Sequence, residues 1–165
     1  MLDLCGNPLS NRGYRRVPTE APVRENLAAG ILMLLNWDPK TEGLVDGMCG
    51  SGTFLIEGGL IAGGISPQWL KLKDYKKNMR PWAFLSLQWF NKDKQLVEDF
   101  HALTNEIMDQ DTAGLRRLEA EMPTLTGGDM DERVLQAAKE NIRVAGMSKL
   151  IPLIQLRAET LPAPS

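Results

Sequence analysis

The stretch Leu44-Val45-Asp46-Gly47-Met48-Cys49-Gly50-Ser51-Gly52-Thr53, running into Phe54-Leu55-Ile56-Glu57, constrains this chain more than any other. An apolar pair ending in a carboxylate predicts a short buried strand over 44–46. Two glycines spaced by one residue then predict a tight turn that opens a helix at Thr53. Such a turn, at the carboxyl end of a parallel strand, is where α/β sheets hold nucleotide-type ligands. Glycine lets the backbone pass close to a ligand, and the unpaired N–H groups of a helix start supply donors. Asp46 adds a carboxylate at the strand tip. That charge repels a pyrophosphate and suits an ammonium or sulfonium, so the expected ligand shifts from NAD toward S-adenosylmethionine.

The rest of the chain sets the frame for that turn. A length of 165 residues predicts one domain with a real core, and 43% apolar with 24% charged residues is ordinary for a globular protein. A net charge of −2 does not advertise a nucleic-acid binder. No apolar run approaches the roughly 20 residues that span a bilayer, so no membrane partner is expected. Met1-Leu2-Asp3-Leu4 lacks the pattern of a signal peptide, and Cys5 and Cys49 are too few for a disulfide framework. The expected location is the cytoplasm. No His/Cys cluster has metal-ligand spacing, so no metal is expected.

Charge is unevenly spread. Lys71, Lys73, Lys76, Lys77, Arg80, Lys92 and Lys94 are interleaved with Trp69, Tyr75, Trp82, Phe84, Trp89 and Phe90, and an acidic stretch follows from Glu98 to Glu121. Basic residues among aromatics can track a phosphate backbone and stack bases. Equally, the rings can form a local core beneath a solvated basic face.

Along the chain, residues 2–17 read as two extended pieces joined by the turn-forming Gly6-Asn7-Pro8. Apolar spacing predicts a helix over 22–35, with Pro22 in its first turn and Thr19 and Glu20 as candidate caps. A helix over 52–63 ends at Gly63-Gly64. Residues 66–122 show helical spacing at 93–109 and 111–121 and no strand. Thr124–Asp129 reads as a second strand. A helix from Asp131 follows, with Gly146 ending it, and 151–156 reads as a third strand with Pro152 near its start. The tail 161–165 reads as loop. Strands alternating with helices imply an α/β fold with parallel pairing. Asp129, at the end of the second strand, is the candidate acid for a ribose.

These residues resemble a known family. Asp46-Gly47-Met48-Cys49-Gly50-Ser51-Gly52-Thr53 is similar to the Asp-Pro-Met-Cys-Gly-Ser-Gly-Thr signature of bacterial guanine-N2 RNA methyltransferases, whose enzymes usually carry an N-terminal THUMP RNA-binding domain. Glu20–Ala29, Leu9–Arg15, Gly127-Gly128-Asp129-Met130-Asp131 and Ala138–Gly146 resemble further family segments in the same order, with Asn141 and Ala145-Gly146 in place. Arg80, Trp82, Phe84, Trp89 and Asp93 resemble a pattern of the large-subunit (23S) ribosomal RNA member. The resemblance implies a Rossmann-like class I S-adenosylmethionine-dependent methyltransferase fold. It further implies methylation of guanine N2 in large-subunit ribosomal RNA.

By that resemblance residues 20–165 are the front half of the cofactor-binding domain, with 66–122 a helical insertion and 1–19 a hairpin or linker from a preceding domain. The expected cofactor residues are Asp46, Met48, Cys49, Gly50, Ser51, Gly52, Thr53, Asp129, Met130 and Asn26. Gly50 and Gly52 admit the methionine portion, Asp46 faces its ammonium, and Asp129 accepts the ribose hydroxyls. Met130 lies against the adenine or fills core, while Asn26 and Glu25 close the methionine end or sit on the helix surface. Cys49 is not expected to act as a nucleophile, because amine methylation is a direct displacement. Asp131 is expected to cap the next helix, Glu57 to pair locally, and His101 to serve packing or surface.

The chain departs from the family at two positions. Gly47 stands where the family has Pro. Arg157 stands where it has an acid after the third strand, with Glu159 the nearest carboxylate. The family's catalytic Asn/Asp-Pro-Pro-Tyr loop, which holds the target base, is absent, so no catalytic residue is assigned and the piece is expected to be inactive alone. The alternatives are a DNA or tRNA amino-methyltransferase fragment and a non-catalytic binding module. A first strand left without its neighbour predicts self-association through the sheet edge.

Overall fold

The computed structural model describes residues 3–17, 19–20, 22–77, 79–121 and 124–160. Three strands, β1 (Leu44–Asp46), β2 (Leu125–Asp129) and β3 (Leu153–Gln155), form one parallel sheet in the order β1-β2-β3. Asp46 lies opposite Gly127, and Asp129 lies opposite Gln155. All three carboxyl ends therefore meet at one edge of the sheet, and among the described residues β1 pairs with β2 alone.

Parallel strands need crossovers, and helices supply them. α2 (Thr53–Gly63) leaves β1 directly and is buried on nearly every side. It approaches its neighbours closely because Gly59 has no side chain: a Cβ there would lie 2.6 Å from Met147 Sδ. α6 (Glu132–Ala145) links β2 to β3 and buries Leu135, Ala138, Ile142 and Ala145 at helical spacing. Its first turn is capped by the Asp131 carboxylate, which accepts from the Arg133 N–H at 2.8 Å, and Gly146 ends it at φ 80°. α1 (Glu25–Leu34) buries Ala28 and Leu32. Its other face leaves Leu27, Met33 and Leu34 exposed, with Leu35 just beyond.

Between α2 and β2 run α3 (Trp69–Lys76), a 3₁₀ turn (Ala83–Ser86), α4 (Gln88–Lys92) and α5 (Lys94–Ala120). The two helical stretches expected at 93–109 and 111–121 are one 27-residue helix, since nothing between them breaks it. Asp111 is buried at that junction, where its carboxylate accepts from the Ser66 N–H at 2.6 Å and moors α5 to the end of α2. The aromatics of this region form a second core. Leu72, Trp82, Leu85 and Phe90 are buried; Phe84 and Phe100 meet Phe90 and each other edge to face, and Tyr75 meets Phe100 likewise. The rings are thus mostly interior, not a stacking platform, although Trp89 stays half exposed.

Three expectations are corrected. No strand occurs among residues 3–17, so the hairpin is absent; Leu4 and Cys5 instead offer their carbonyls to the Phe84 and Ala83 N–H groups. The helix expected from 22 begins at Glu25 without a side-chain cap. The Arg15 guanidinium donates to the Val23 carbonyl at 2.6 Å, and Arg24 is extended at ψ 141°, so the chain cannot yet coil at Pro22. β3 is shorter than 151–156. The tail 161–165 and residues 1–2 lie outside the described residues.

Candidate cofactor site

The turn after β1 folds as its glycines dictate. Gly50 (φ 53°) and Gly52 (φ 80°) both occupy the left-handed region, where a Cβ is strained. Gly52 is the N-cap of α2 and offers no capping side chain, which leaves the first N–H groups of the helix facing the sheet edge. Gly47 has no positive φ, so the family's proline position needs no glycine here.

Asp129 ties the turn to the neighbouring strand. One of its carboxylate oxygens accepts from the Gly50 N–H at 3.1 Å and the other from the Asp131 N–H at 3.0 Å. Two clefts meet at this residue. One, of about 690 Å³, is lined by Val17, Thr19, Glu20, Gly50, Asp131 and the start of α6; the other, of about 410 Å³, by Gly47, Met48, Met130, Arg157, Ala158 and Glu159. Together they form a trough across the strand ends, with Asp129 in both.

Met48 is 80% exposed and Met130 68%, and both stand in the second cleft. Together they give this cleft an apolar lining beside its polar groups, the usual make-up of a small-molecule site. Met130 therefore does not fill core. Asp46 takes the Met48 N–H on its carboxylate at 3.2 Å. Burial chiefly pushes its pKa up, the nearby Asp129 charge adds to this, and the Met48 bond opposes it. Among the described residues neither carboxylate has an ion-pair partner. The edge carries negative charge that a cation would relieve.

The remaining expected residues divide. Ser51 and Thr53 are buried at the turn with their hydroxyls 3.1 Å apart. Cys49 is buried in the main core, its N–H spent on the Gly128 carbonyl. Burial, with the Asp46 and Asp129 charges, pushes its thiol up to about 12, so it is no nucleophile. Asn26 sits exposed in the first turn of α1 and lines neither cleft. Arg157 and Glu159 stand side by side in the second cleft, which leaves a carboxylate there despite the arginine. No group of three or more His, Cys, Asp or Glu that could hold a metal occurs among the described residues. Nor is any described helix long and apolar enough to cross a membrane.

Residues 12–165 match the family of RMKL-like methyltransferase domains. The chain belongs to that family. It is 38% identical over 167 residues to the ribosomal RNA large subunit methyltransferase K/L of Desulfotalea psychrophila, covering 96% of this chain and 21% of that protein. Against the Vibrio cholerae protein of the same name it is 37% identical over 150 residues, 91% of this chain and 19% of that one. The chain thus spans about a fifth of the curated relatives it matches.

Among solved structures it superposes on SMU.472, a methyltransferase by assignment in complex with SAH, at TM-score 0.75 and 34% identity, covering 99% of this chain and 37% of that one. An N6-adenine-specific DNA methylase, by assignment, from Listeria monocytogenes superposes at TM-score 0.72 and 28% identity, covering 98% and 37%. The fold is the Rossmann-like methyltransferase sheet in part, and S-adenosylmethionine is the family's cofactor.

Sequence reasoning missed how this family member fastens its turn. Glu57 was expected to pair locally. It lies buried instead, accepts from the Tyr14 hydroxyl at 2.9 Å, and stands 3.5 Å from the Arg12 guanidinium. Desolvation raises its pKa against the pull of Tyr14 and Arg12, and burial with the same neighbour pushes the Tyr14 phenol far up. Arg15 donates to the Thr53 hydroxyl at 3.0 Å. Thr19 and Glu20, read as caps, line the larger cleft. A carboxylate amid the apolar run Phe54-Leu55-Ile56 was the available signal.

Proposed function

We propose that this chain is the cofactor-binding part of a methyltransferase that acts on guanine N2 of large-subunit ribosomal RNA. The observation that carries the reading is Asp129, which closes the glycine turn and floors both clefts. In this reading the ribose hydroxyls bind the Asp129 carboxylate and the adenine enters between Met48 and Met130. The amino-acid end runs beneath the Gly50–Thr53 turn, and Asp46 faces the ammonium. Asn26 would act from α1 only at the outer rim. The residues fit a cation that carries a flat apolar group: two carboxylates without an ion-pair partner among the described residues, Asp46 and Asp129, stand at the same strand ends as the exposed Met48 and Met130. When bound, the cofactor supplies an electrophilic methyl carried on a sulfonium. This chain's residues hold and orient it.

The K/L relatives favour ribosomal RNA over DNA or tRNA, since they match over nine-tenths of the chain at 37–38% identity. The sequence has no Asn/Asp-Pro-Pro-Tyr tetrad to receive the base, so the piece binds the methyl donor without transferring the methyl. The open edge of β1 and the apolar outer face of α1 favour a second reading of its partners: alone, the chain pairs with copies of itself. Incubating the chain with radiolabelled donor and large-subunit ribosomal RNA tests the first reading. Donor bound at equilibrium without label in the RNA is expected; no bound donor would refute it. Light scattering tests the second, with mass above the monomer expected and a stable monomer against it.

A further inference from the structure

Asn141 is wholly buried, yet it belongs to neither cleft. Its side chain spends every bond on backbone from two distant segments. The amide nitrogen donates to the Ser51 carbonyl, inside the glycine turn, at 3.2 Å. The amide oxygen accepts from the Arg16 N–H at 2.9 Å and the Val17 N–H at 3.4 Å. Ser51 is 90 residues away in sequence, and Arg16 is 125. Residues 12–17 are a strap laid over this end of the sheet, and their continuation (Val17, Thr19 and Glu20) forms one wall of the larger cleft. Gly50, beside Ser51, belongs to the opposite wall.

We infer that Asn141 is a positioning residue that sets the spacing between the strap and the glycine turn, and so holds the cleft at the width the amino-acid end of the cofactor needs. This rests on the cofactor reading above. Only a side chain with one donor and one acceptor at its tip can serve both walls from a fixed point on α6. Aspartate matches the shape but faces the Ser51 carbonyl with an oxygen, and alanine reaches neither wall. Arg15 and Glu57 fasten the same strap from its other side and from below, so losing Asn141 loosens one joint and leaves the sheet standing. The nucleoside end of the trough, at Met48, Met130 and Glu159, has no bond to Asn141.

The test exploits this separation. Calorimetry of Asn141→Ala and Asn141→Asp, each checked for native secondary structure, is run with S-adenosylhomocysteine and with adenosine. The inference expects affinity for S-adenosylhomocysteine to fall about tenfold or more, and affinity for adenosine to change less than twofold. Equal losses for both ligands would mean general destabilisation and would overturn it, as would no loss for either. Should a variant fail to fold, hydrogen exchange on the unaltered chain decides. Slower exchange of the Arg16 and Val17 amides with S-adenosylhomocysteine but not adenosine supports the inference, and no difference refutes it. An unaltered chain that binds neither ligand sinks the cofactor reading itself, a result distinct from the variants' behaviour.

Discussion

The core beneath the glycine turn and the core of the helical insertion hold their shapes by different chemistry. Under the turn, Tyr14, Glu57, Arg15, Thr53 and Asn141 join segments far apart in sequence through directional bonds. In the insertion, Phe84, Phe90 and Phe100 meet edge to face, and Trp82 meets Phe100 likewise but stacks on Phe84, at centroid spacings of 5.1–6.2 Å, so shape alone orders them. Aromatic packing tolerates small shifts, whereas a buried hydrogen bond fixes its partner to within a few tenths of an ångström. A ligand site benefits from the second kind of order. Ser51, Thr53, Glu57 and Asn141 are accordingly gathered at the turn, while the buried Lys71, Thr104 and Asp111 of the insertion lie outside its aromatic cluster.

Changes in the two cores should therefore separate stability from binding. Trp82→Ala removes the ring that joins Tyr75, Phe84 and Phe100. By large-to-small core substitution it should cost about 3–5 kcal/mol. Denaturant unfolding should show that loss, while cofactor affinity, measured where the chain is still folded, changes less than twofold. Glu57→Ala leaves the buried Tyr14 hydroxyl without its acceptor and the Arg12 guanidinium with the Leu9 carbonyl but no carboxylate, and should cost about 3 kcal/mol. Here affinity should fall as well, because the strap and α2 lose their joint. Equal effects on binding from both variants would erase the contrast.

Asp46→Asn is the smaller and sharper test. Burial raises the Asp46 pKa in the folded chain above its unfolded value. Its share of stability is then fully present below the unfolded carboxylate pKa and is lost as pH rises through the folded one. At neutral pH the charge opposes folding, so Asp46→Asn should raise the melting temperature of the free chain slightly and flatten that part of its pH profile. The same change should weaken the cofactor several-fold by removing a charge that meets its cation. A variant both less stable and unchanged in affinity would contradict this assignment.

What the sequence disclosed follows from how local each signal is. β1, α2 and the Gly50–Gly52 turn were legible because their residues specify their own backbone: an apolar pair, then glycines whose φ is positive. β2, and α6 with its Asp131 cap, were legible for the same reason. The hairpin at 2–17 failed because strap residues are held by partners 38 to 125 residues away, which no local pattern encodes. Pro22 misled for a nearer reason, since the Arg15 bond to Val23, eight residues on, delays the helix. Asn141 stood out only as a position of the family resemblance and Glu57 only as a carboxylate in an apolar run, and tertiary placement alone shows what they hold. The insertion aromatics permitted two readings until their burial was known. Asp46, Met48, Asp129 and Met130 meet at one sheet edge, while Asn26 lines neither cleft there.

The most direct test is titration of S-adenosylmethionine into the folded chain beside Asp129→Ala and Trp82→Ala. Asp129 holds the Gly50 and Asp131 N–H groups and floors both clefts; its loss should also remove charge-assisted bonds to the ribose hydroxyls worth about 1.5–3 kcal/mol, or roughly 10- to 150-fold in affinity. Saturable binding by the unaltered chain and by Trp82→Ala, with a loss of that size in Asp129→Ala, is the expected result. Binding that ignores Asp129, or no heat from a chain shown to be folded, would contradict a cofactor trough centred on that carboxylate.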